Sequence, residues 1–273
     1  RTMWMTASLL GLALALAPDA PEPERTPHAK ARLISEDAAL VAGSTQTLGI
    51  DFVIDKGWHL YFNGLPGTGN PPKINNSMLP PGVTLGEIQW PAPSRHISPG
   101  DIYDSVYFDR VTLLLPVTVA PNATPVAASK ITLELEWLEC SDVCMFGAAT
   151  VGLEIPILAP GSPTTRSPEA PLIAKSRATL PQPLAADSRV RPTLTNDGQF
   201  NLRAMRATRI EFYPGPSCSE IDGMPEATLA LSDSMSFRLV DRERPGRVQG
   251  VIGVWQGEGS TPAYFAIDVR PKP

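Results

Sequence analysis

The segment Ile131-Thr-Leu-Glu-Leu-Glu-Trp137-Leu-Glu-Cys140-Ser-Asp-Val-Cys144-Met-Phe-Gly147 decides the fold. From Ile131 to Trp137 every second residue is apolar, and polar residues lie between them. A period of two places one face of a strand on a core and the other in water, as in antiparallel sheets. The segment therefore predicts a strand that ends at a pair of cysteines.

The same alternation recurs on both sides of this segment, over 48–54 and 151–157. Proline-rich connections separate the alternating runs, which is typical of a β-sandwich. Thirty prolines, twenty-one glycines and only 7% aromatic residues fit short strands better than a helical bundle. The net charge of -5, without a basic stripe, argues against a nucleic-acid partner.

The chain is long enough for more than one domain. We expect a first sandwich over 29–158, a linker with a short helix over 159–194, and a second, smaller β domain over 195–273. The linker prediction rests on the Pro/Ser/Thr-rich run 159–171, which is followed by a helical segment from Leu172 to Leu180. Candidate strands of the second domain are 208–213, 226–231, 235–240, 248–254 and 262–269.

The first seventeen residues join a basic end to a short apolar run. That run has the length of a signal-peptide core and is too short to span a bilayer comfortably. We therefore expect residues 1–28 to be a signal peptide and a flexible N-terminal segment, and the protein to be exported.

The spacing of Cys140 and Cys144 constrains the chain between them. Four extended residues span about 13 Å, whereas disulfide Cα atoms lie roughly 4.4–6.8 Å apart, so the segment must turn if the sulfurs bond. Cys140 has the outward parity of its strand, which predicts a sulfur near solvent. A disulfide across so short a loop stabilises by only about 2 kcal/mol, against about 4.7 for a 100-residue loop.

Three interpretations of the pair stay open on spacing alone. The first is a redox pair, because an accessible disulfide is readily reduced. The second is a structural disulfide, and the third is a soft site for Cu(I) that includes Met145. Thiol–disulfide exchange itself needs no metal or organic cofactor. The third cysteine, Cys218, is interpreted as a buried small residue rather than a free reactive thiol or an interchain link.

The remaining candidates favour structural roles. Trp58, Trp90 and Trp137 are expected in the core. His59 is expected to satisfy a local hydrogen bond, and His96 to lie in a proline-rich loop without partners. The sequence has no Gly-x-Ser-x-Gly elbow, phosphate loop, dinucleotide fingerprint or His-Glu-x-x-His motif, so hydrolase and nucleotide-dependent functions are not supported.

Three sets of motifs are characteristic when they occur together: Lys56-Gly-Trp58-His59-Leu-Tyr61 with Pro66-Gly-Thr-Gly69 and Pro71-Pro72, Ile88-Gln-Trp90-Pro91-Ala-Pro93, and Trp137-Leu-Glu-Cys140-Ser-Asp-Val-Cys144. With these motifs the sequence resembles one family, the periplasmic N-terminal domain of the thiol:disulfide interchange protein DsbD, which includes the related copper-tolerance protein ScsB. The resemblance extends over about residues 29–270.

This resemblance implies an immunoglobulin-like sandwich and makes Cys140 and Cys144 the redox pair of a protein-disulfide reductase component. A membrane-embedded donor would supply electrons. Periplasmic disulfide isomerases, thioredoxin-like proteins or cytochrome-maturation factors would receive them. The resemblance also implies a cap loop, for which Asp101-Ile-Tyr103-Asp104 is the candidate: Tyr103 would cover the sulfurs, and Asp101 would tune the thiol pKa or move a proton.

Two departures from the family pattern favour a variation on this role. Met145-Phe146 stands where the family has a small apolar residue and a proline. The sequence also lacks the membrane and thioredoxin-like domains of the longer members. The reductant is therefore expected to be a separate membrane protein, and the alternative is a non-catalytic, immunoglobulin-like interaction module with a structural disulfide.

Overall fold

The computed structural model describes residues 26–65, 69–185, 188–244 and 246–271. The predicted signal peptide lies almost wholly outside these residues. Within the described ranges, no helix combines the length and the apolar character needed to span a bilayer.

Two sheets form the first unit of the molecule. Its strands are β1 (Ala29–Ser35), β2 (Leu40–Val41), β3 (Thr45–Ile54), β4 (His59–Tyr61), β5 (Lys73–Met78), β6 (Val83–Leu85), β7 (Ser94–Ser98), β8 (Ile102–Tyr107), β9 (Arg110–Val119), β10 (Val126–Cys140) and β11 (Cys144–Leu158). These strands pair antiparallel except for β2, which pairs with β11 in parallel.

One sheet has the order β1-β3-β9-β6, and the other has the order β2-β11-β10-β4-β8-β7 with β5 also paired to β10. The inward faces of both sheets close on a core that includes Phe52, Leu113 and Trp137. Trp137 contacts Phe52 edge to face with ring centroids 5.2 Å apart. The alternating apolar residues of β3 and β10 therefore face this core, as the sequence predicts.

A second unit follows a short helical connection. Its elements are α1 (Ala170–Arg177), β12 (Gln182–Pro183), β13 (Val190–Leu194), β14 (Gln199–Ala204), β15 (Arg209–Pro214), α2 (Met224–Ala227), β16 (Leu229–Ala230), β17 (Ser234–Arg238), β18 (Val248–Trp255) and β19 (Ala263–Val269). A sheet of order β12-β19-β18-β15-β16 and a sheet of order β13-β14-β17 enclose a core with three stacked rings, Phe200, Phe212 and Phe237.

The connecting helix α1 packs against the first unit. Ile173 lies fully buried against Ile34 and Leu114. Ser176 donates to the carbonyl oxygen of Thr112, and Arg177 pairs with Glu36. The segment with linker composition thus includes an ordered docking element.

The mostly β, sandwich fold predicted from the sequence is confirmed, whereas some element assignments are wrong. The segment 226–231 begins in a short helix because Pro225 and the residues around it turn the chain before β16 forms. Strands β13 and β14 were not anticipated, since their short alternation is interrupted by Asn196-Asp197-Gly198.

The outer face of the four-stranded sheet holds a buried carboxylate. Asp51 has no exposed side chain and accepts hydrogen bonds from Arg32, Arg110 and Thr112 at 2.7–3.0 Å. Burial alone would raise the pKa of Asp51, but the hydrogen bonds from Arg110 and Arg32 outweigh burial and lower it. The ion pairs therefore join β1, β3 and β9 at the level where α1 packs.

Replacing Asp51 by asparagine should destabilise the protein by about 3 kcal/mol, because two guanidinium groups lose their shared anion. Since the folded-state pKa lies below the ordinary value of 3.8, this contribution is present above that value and is lost as the pH falls through the folded-state pKa. Urea unfolding at neutral pH measures the loss. The exposed control Glu134→Gln should leave the midpoint unchanged, and an equal midpoint for Asp51→Asn would refute the assignment.

Candidate redox site

The two cysteines close the longest hairpin of the molecule. Strands β10 and β11 stay in register to their ends, where Cys140 opposes Cys144. The Cα atoms are 4.1 Å apart and the sulfurs are bonded. Ser141 donates to the carbonyl oxygen of Val143 at 2.9 Å, which closes the turn between the cysteines. The expected turn is therefore the end of a hairpin.

The two sulfur-bearing residues differ sharply in exposure. Cys140 is 1% exposed, whereas Cys144 belongs to the exposed residues. The prediction that Cys140 lies near solvent is wrong. Its parity is as predicted, on the face opposite Trp137, but at this end of β10 that face is covered by Tyr61 and Val106 from the neighbouring strands β4 and β8.

Tyr61 contacts both sulfurs. Its hydroxyl donates to Cys140 Sγ at 3.1 Å and lies 4.0 Å from Cys144 Sγ. Burial, reinforced by the nearby Asp104 carboxylate, raises the pKa of Tyr61 to about 12. The hydroxyl therefore stays protonated at neutral pH, and it can stabilise a thiolate on Cys140 as a hydrogen-bond donor.

A histidine and aromatic cluster continues from Tyr61. His59 is directly opposite Cys140 in the strand register and packs against Tyr61, His96 and Phe108, with ring centroids 5.1–5.7 Å apart. His96 lies on β7 and not in a partnerless loop, so that prediction is wrong. Proline residues at 91 and 93 precede the strand but do not interrupt it.

On the opposite face of the same hairpin end, a buried glutamate anchors the strand. Glu139 accepts hydrogen bonds from the backbone N–H groups of His28 and Ala29 and from the indole of Trp137, at 2.7–2.9 Å. Gly147 lies opposite Trp137, and a Cβ there would overlap the indole ring. The hairpin end is thus fixed from the core side, and local propensity alone did not reveal Glu139.

The predicted cap residues lie elsewhere. On β8 the residue opposite Tyr61 is Val106, so Asp104 and Val106 share the sulfur-side face and Tyr103 points to the other side of the sheet. The Tyr103 hydroxyl donates to the carbonyl oxygen of Phe212 at 3.0 Å, in the second unit. Tyr103 therefore does not cover the sulfurs, and the contact to sulfur comes from Tyr61.

Asp101 lies in the turn between β7 and β8, where its φ of 58° is left-handed. It lines a surface groove with Pro225 and Glu226 of the second unit. The carboxylate on the sulfur-side face is instead that of Asp104, which is buried and hydrogen-bonded to Ser98 at 3.5 Å. Burial raises the pKa of Asp104.

The third cysteine fits its structural interpretation. Cys218 is a free thiol, buried in the core of the second unit. Burial raises the pKa of its thiol to about 11. Across the described part of the chain, no three or more His, Cys, Asp or Glu side chains gather in a metal-binding arrangement.

A comparison with family models matches residues 30–153 to the N-terminal domain of the thiol:disulfide interchange protein DsbD. The match begins in β1, ends in β11 and includes both bonded cysteines. The first unit belongs to the DsbD N-terminal family.

Among solved structures, the N-terminal periplasmic domain of ScsB from Proteus mirabilis matches with a TM-score of 0.57 and 15% identity, covering 93% of this chain and 97% of that chain. The likeness to this ScsB domain thus extends through the second unit at the level of fold. No curated protein sequence matches the chain.

Two other structures are far less similar to this chain. The D312A variant of the Bacillus cereus major pilin subunit BcpA has a TM-score of 0.28 and 6% identity, covering 89% of this chain and 67% of that chain. A chimeric titin Z1Z2 protein has a TM-score of 0.19 and 11% identity, covering 91% and 100% respectively.

The exposed side of this DsbD-family disulfide is apolar. Phe146 shares the face of Cys144 along β11 and is 78% exposed, and Val143 in the turn is 59% exposed. Large exposed apolar side chains beside a reactive group are typical of a protein-binding surface. We name Val143 and Phe146 the apolar rim.

Replacing Glu139 by glutamine should destabilise the DsbD-family domain by about 2 kcal/mol, because an amide nitrogen then faces N–H donors in a buried site. Urea unfolding measures this loss, and hydrogen exchange at the Trp137 indole should accelerate. Glu154→Gln, on the exposed face of β11, serves as the control. Unchanged exchange at the indole would contradict the anchoring role of Glu139.

Proposed function

We propose that this protein is a periplasmic thiol–disulfide exchange protein that passes electrons through the Cys140/Cys144 pair. The observation that carries the proposal is the pair itself: a closed disulfide at a hairpin end of a DsbD-family domain, with one sulfur-bearing residue exposed and the other buried. This asymmetry favours Cys144 as the residue that partner proteins attack, since exchange requires access in line with the disulfide.

A dithiol partner reduces the Cys140–Cys144 disulfide in two successive exchanges. A partner thiolate attacks Cys144 Sγ, a new sulfur–sulfur bond forms, and the Cys140–Cys144 bond breaks with its electron pair on Cys140. The partner's second thiolate then attacks its own bonded sulfur and releases Cys144 as a thiolate. The partner leaves as a disulfide, and this protein has gained two electrons, which the reverse sequence passes on.

The partners we propose are proteins with exposed dithiol sites. A membrane-embedded donor would reduce the pair, and thioredoxin-like proteins, disulfide isomerases or cytochrome-maturation factors would accept its electrons. The family name and the periplasmic ScsB domain support this proposal. The predicted export signal supports the compartment.

Single-cysteine variants test which sulfur meets the partner. In a Cys218→Ser background, Cys140→Ser should form a mixed disulfide with a thioredoxin whose second active-site cysteine is replaced, because Cys144 remains exposed. Cys144→Ser should form at least about tenfold less, since the Cys140 thiol is buried. Non-reducing electrophoresis with mass spectrometry measures both adducts.

Equal trapping at both cysteines would overturn the assignment of Cys144. No trapping at either cysteine, with a disulfide that also resists glutathione, would favour the non-catalytic module with a structural disulfide.

The apolar rim should contribute to partner recognition. Phe146→Ser should slow the second-order exchange with a thioredoxin about tenfold, because a large apolar side chain beside the attacked sulfur is lost from the contact. Exchange with dithiothreitol, which needs no protein contact, should keep its rate. Stopped-flow tryptophan fluorescence can follow both reactions.

Leu231→Ser is the matched control, since Leu231 is 76% exposed in the second unit. If both variants slow exchange alike, or if Phe146→Ser leaves the protein reaction unchanged, the rim does not contribute to recognition.

A further inference from the structure

The burial of Cys140 creates a need for a proton acceptor. When the reduced pair closes into a disulfide, the Cys140 thiol must lose its proton, because the thiolate is the reactive form. Burial disfavours the thiolate, as the buried Cys218 thiol of the same chain illustrates with its pKa of about 11. Without a base beside it, Cys140 would react slowly at neutral pH.

Most polar groups near Cys140 cannot act as that base. Tyr61 contacts the sulfur but is a protonated donor. Glu139 is the next residue along the strand, but it faces the core, where three N–H groups occupy its carboxylate. Asp142, in the turn, is exposed to solvent.

His59 differs from these groups in its position and in the hydrogen bonding of its ring. It is directly opposite Cys140 in the register of β4 and β10, and the Cβ atoms of such residues lie about 5 Å apart on the same face of the sheet. The residue is 3% exposed, and its Nε2 atom is buried without a hydrogen-bond partner among the described residues. A buried unpaired nitrogen is costly and indicates a functional role or an unseen partner.

The groups around His59 keep it neutral. His96 faces it from β7, Phe108 follows β8, and Tyr61 flanks it on its own strand. Asp104, the cross-strand partner of His96, brings a buried carboxylate to this cluster. Burial, with the repulsion from His96, lowers the pKa of His59 to about 4. At neutral pH the imidazole is therefore uncharged, and the lone pair of a ring nitrogen can accept a hydrogen bond from a thiol.

We infer that His59 is the base that takes the proton of the Cys140 thiol when the pair closes and returns it when the pair opens. This inference rests on the proposed exchange function. On closure the Cys140 sulfur attacks Cys144 Sγ in the mixed disulfide, its proton moves to His59 Nε2, and the partner leaves as a thiolate with the electron pair of the broken bond. On opening the electron pair returns to Cys140, and the anion draws a proton back through His59.

The test follows the ionisation of Cys140 in the full chain, without any partner protein. In a reduced Cys144→Ser, Cys218→Ser protein, the carbon NMR shift of Cys140 Cβ reports the thiolate fraction at each pH. His59→Phe keeps the ring packing against Tyr61 and Phe108 but cannot accept a proton. It should raise the titration midpoint by at least one pH unit, about a tenfold loss of thiolate at a given pH.

His59→Gln, which keeps a polar side chain, should shift the midpoint in the same direction. His28→Phe is the matched control, because His28 stacks on Trp58 away from the sulfurs, and it should leave the midpoint in place. An unchanged midpoint in both His59 variants would overturn the inference, and would do so even if partner trapping at Cys144 succeeds. Failed trapping with a shifted midpoint would overturn the exchange proposal alone.

Discussion

The end of β10 is enclosed on both faces, and the site depends on this constraint. A strand alternates its side chains between two sides, so Trp137 and Glu139 enter the core while Cys140 faces away from it. Elsewhere along β10 the outward residues are exposed or half-buried. At Cys140 the neighbouring strands β4 and β8 bring Tyr61 and Val106 over that side. One sulfur is thereby enclosed while its bonded partner remains at the surface.

The anchoring on the core side makes this enclosure possible. Glu139 satisfies backbone donors at the start of β1 and the indole of Trp137, so the last residues of β10 do not fray as strand ends commonly do. The turn from Ser141 to Val143 is then closed by the hydrogen bond between these two residues. Placement of the sulfurs therefore comes from buried hydrogen bonds and packing, and the disulfide adds little loop entropy of its own.

Period-two alternation predicted the sandwich, and the spacing of Cys140 and Cys144 predicted a turn between them, because both depend on local pattern. Neither could predict that Cys140 is buried, since the cover comes from residues 79 positions earlier at Tyr61 and from β8. The cap prediction was wrong because the side chains of β8 alternate between the two faces of the sheet. Asp104 faces the sulfur side, and the adjacent Tyr103 faces the other side. His59 and His96 likewise come together near Cys140 only when β4, β7 and β8 pair, and no local signal in the sequence predicts that pairing.

The contacts between the two units bear on the hairpin formed by β7 and β8. Tyr103 and Arg95 on this hairpin donate to the carbonyl oxygens of Phe212 and Pro225, so the second sandwich contacts the face of the hairpin opposite to the one that carries His96 and Asp104. Any swing of the hairpin that wets the enclosed sulfur must first break these bonds, at about 1 kcal/mol each. Access of water to the buried Cys140 sulfur therefore depends on whether the contact between the two units stays intact.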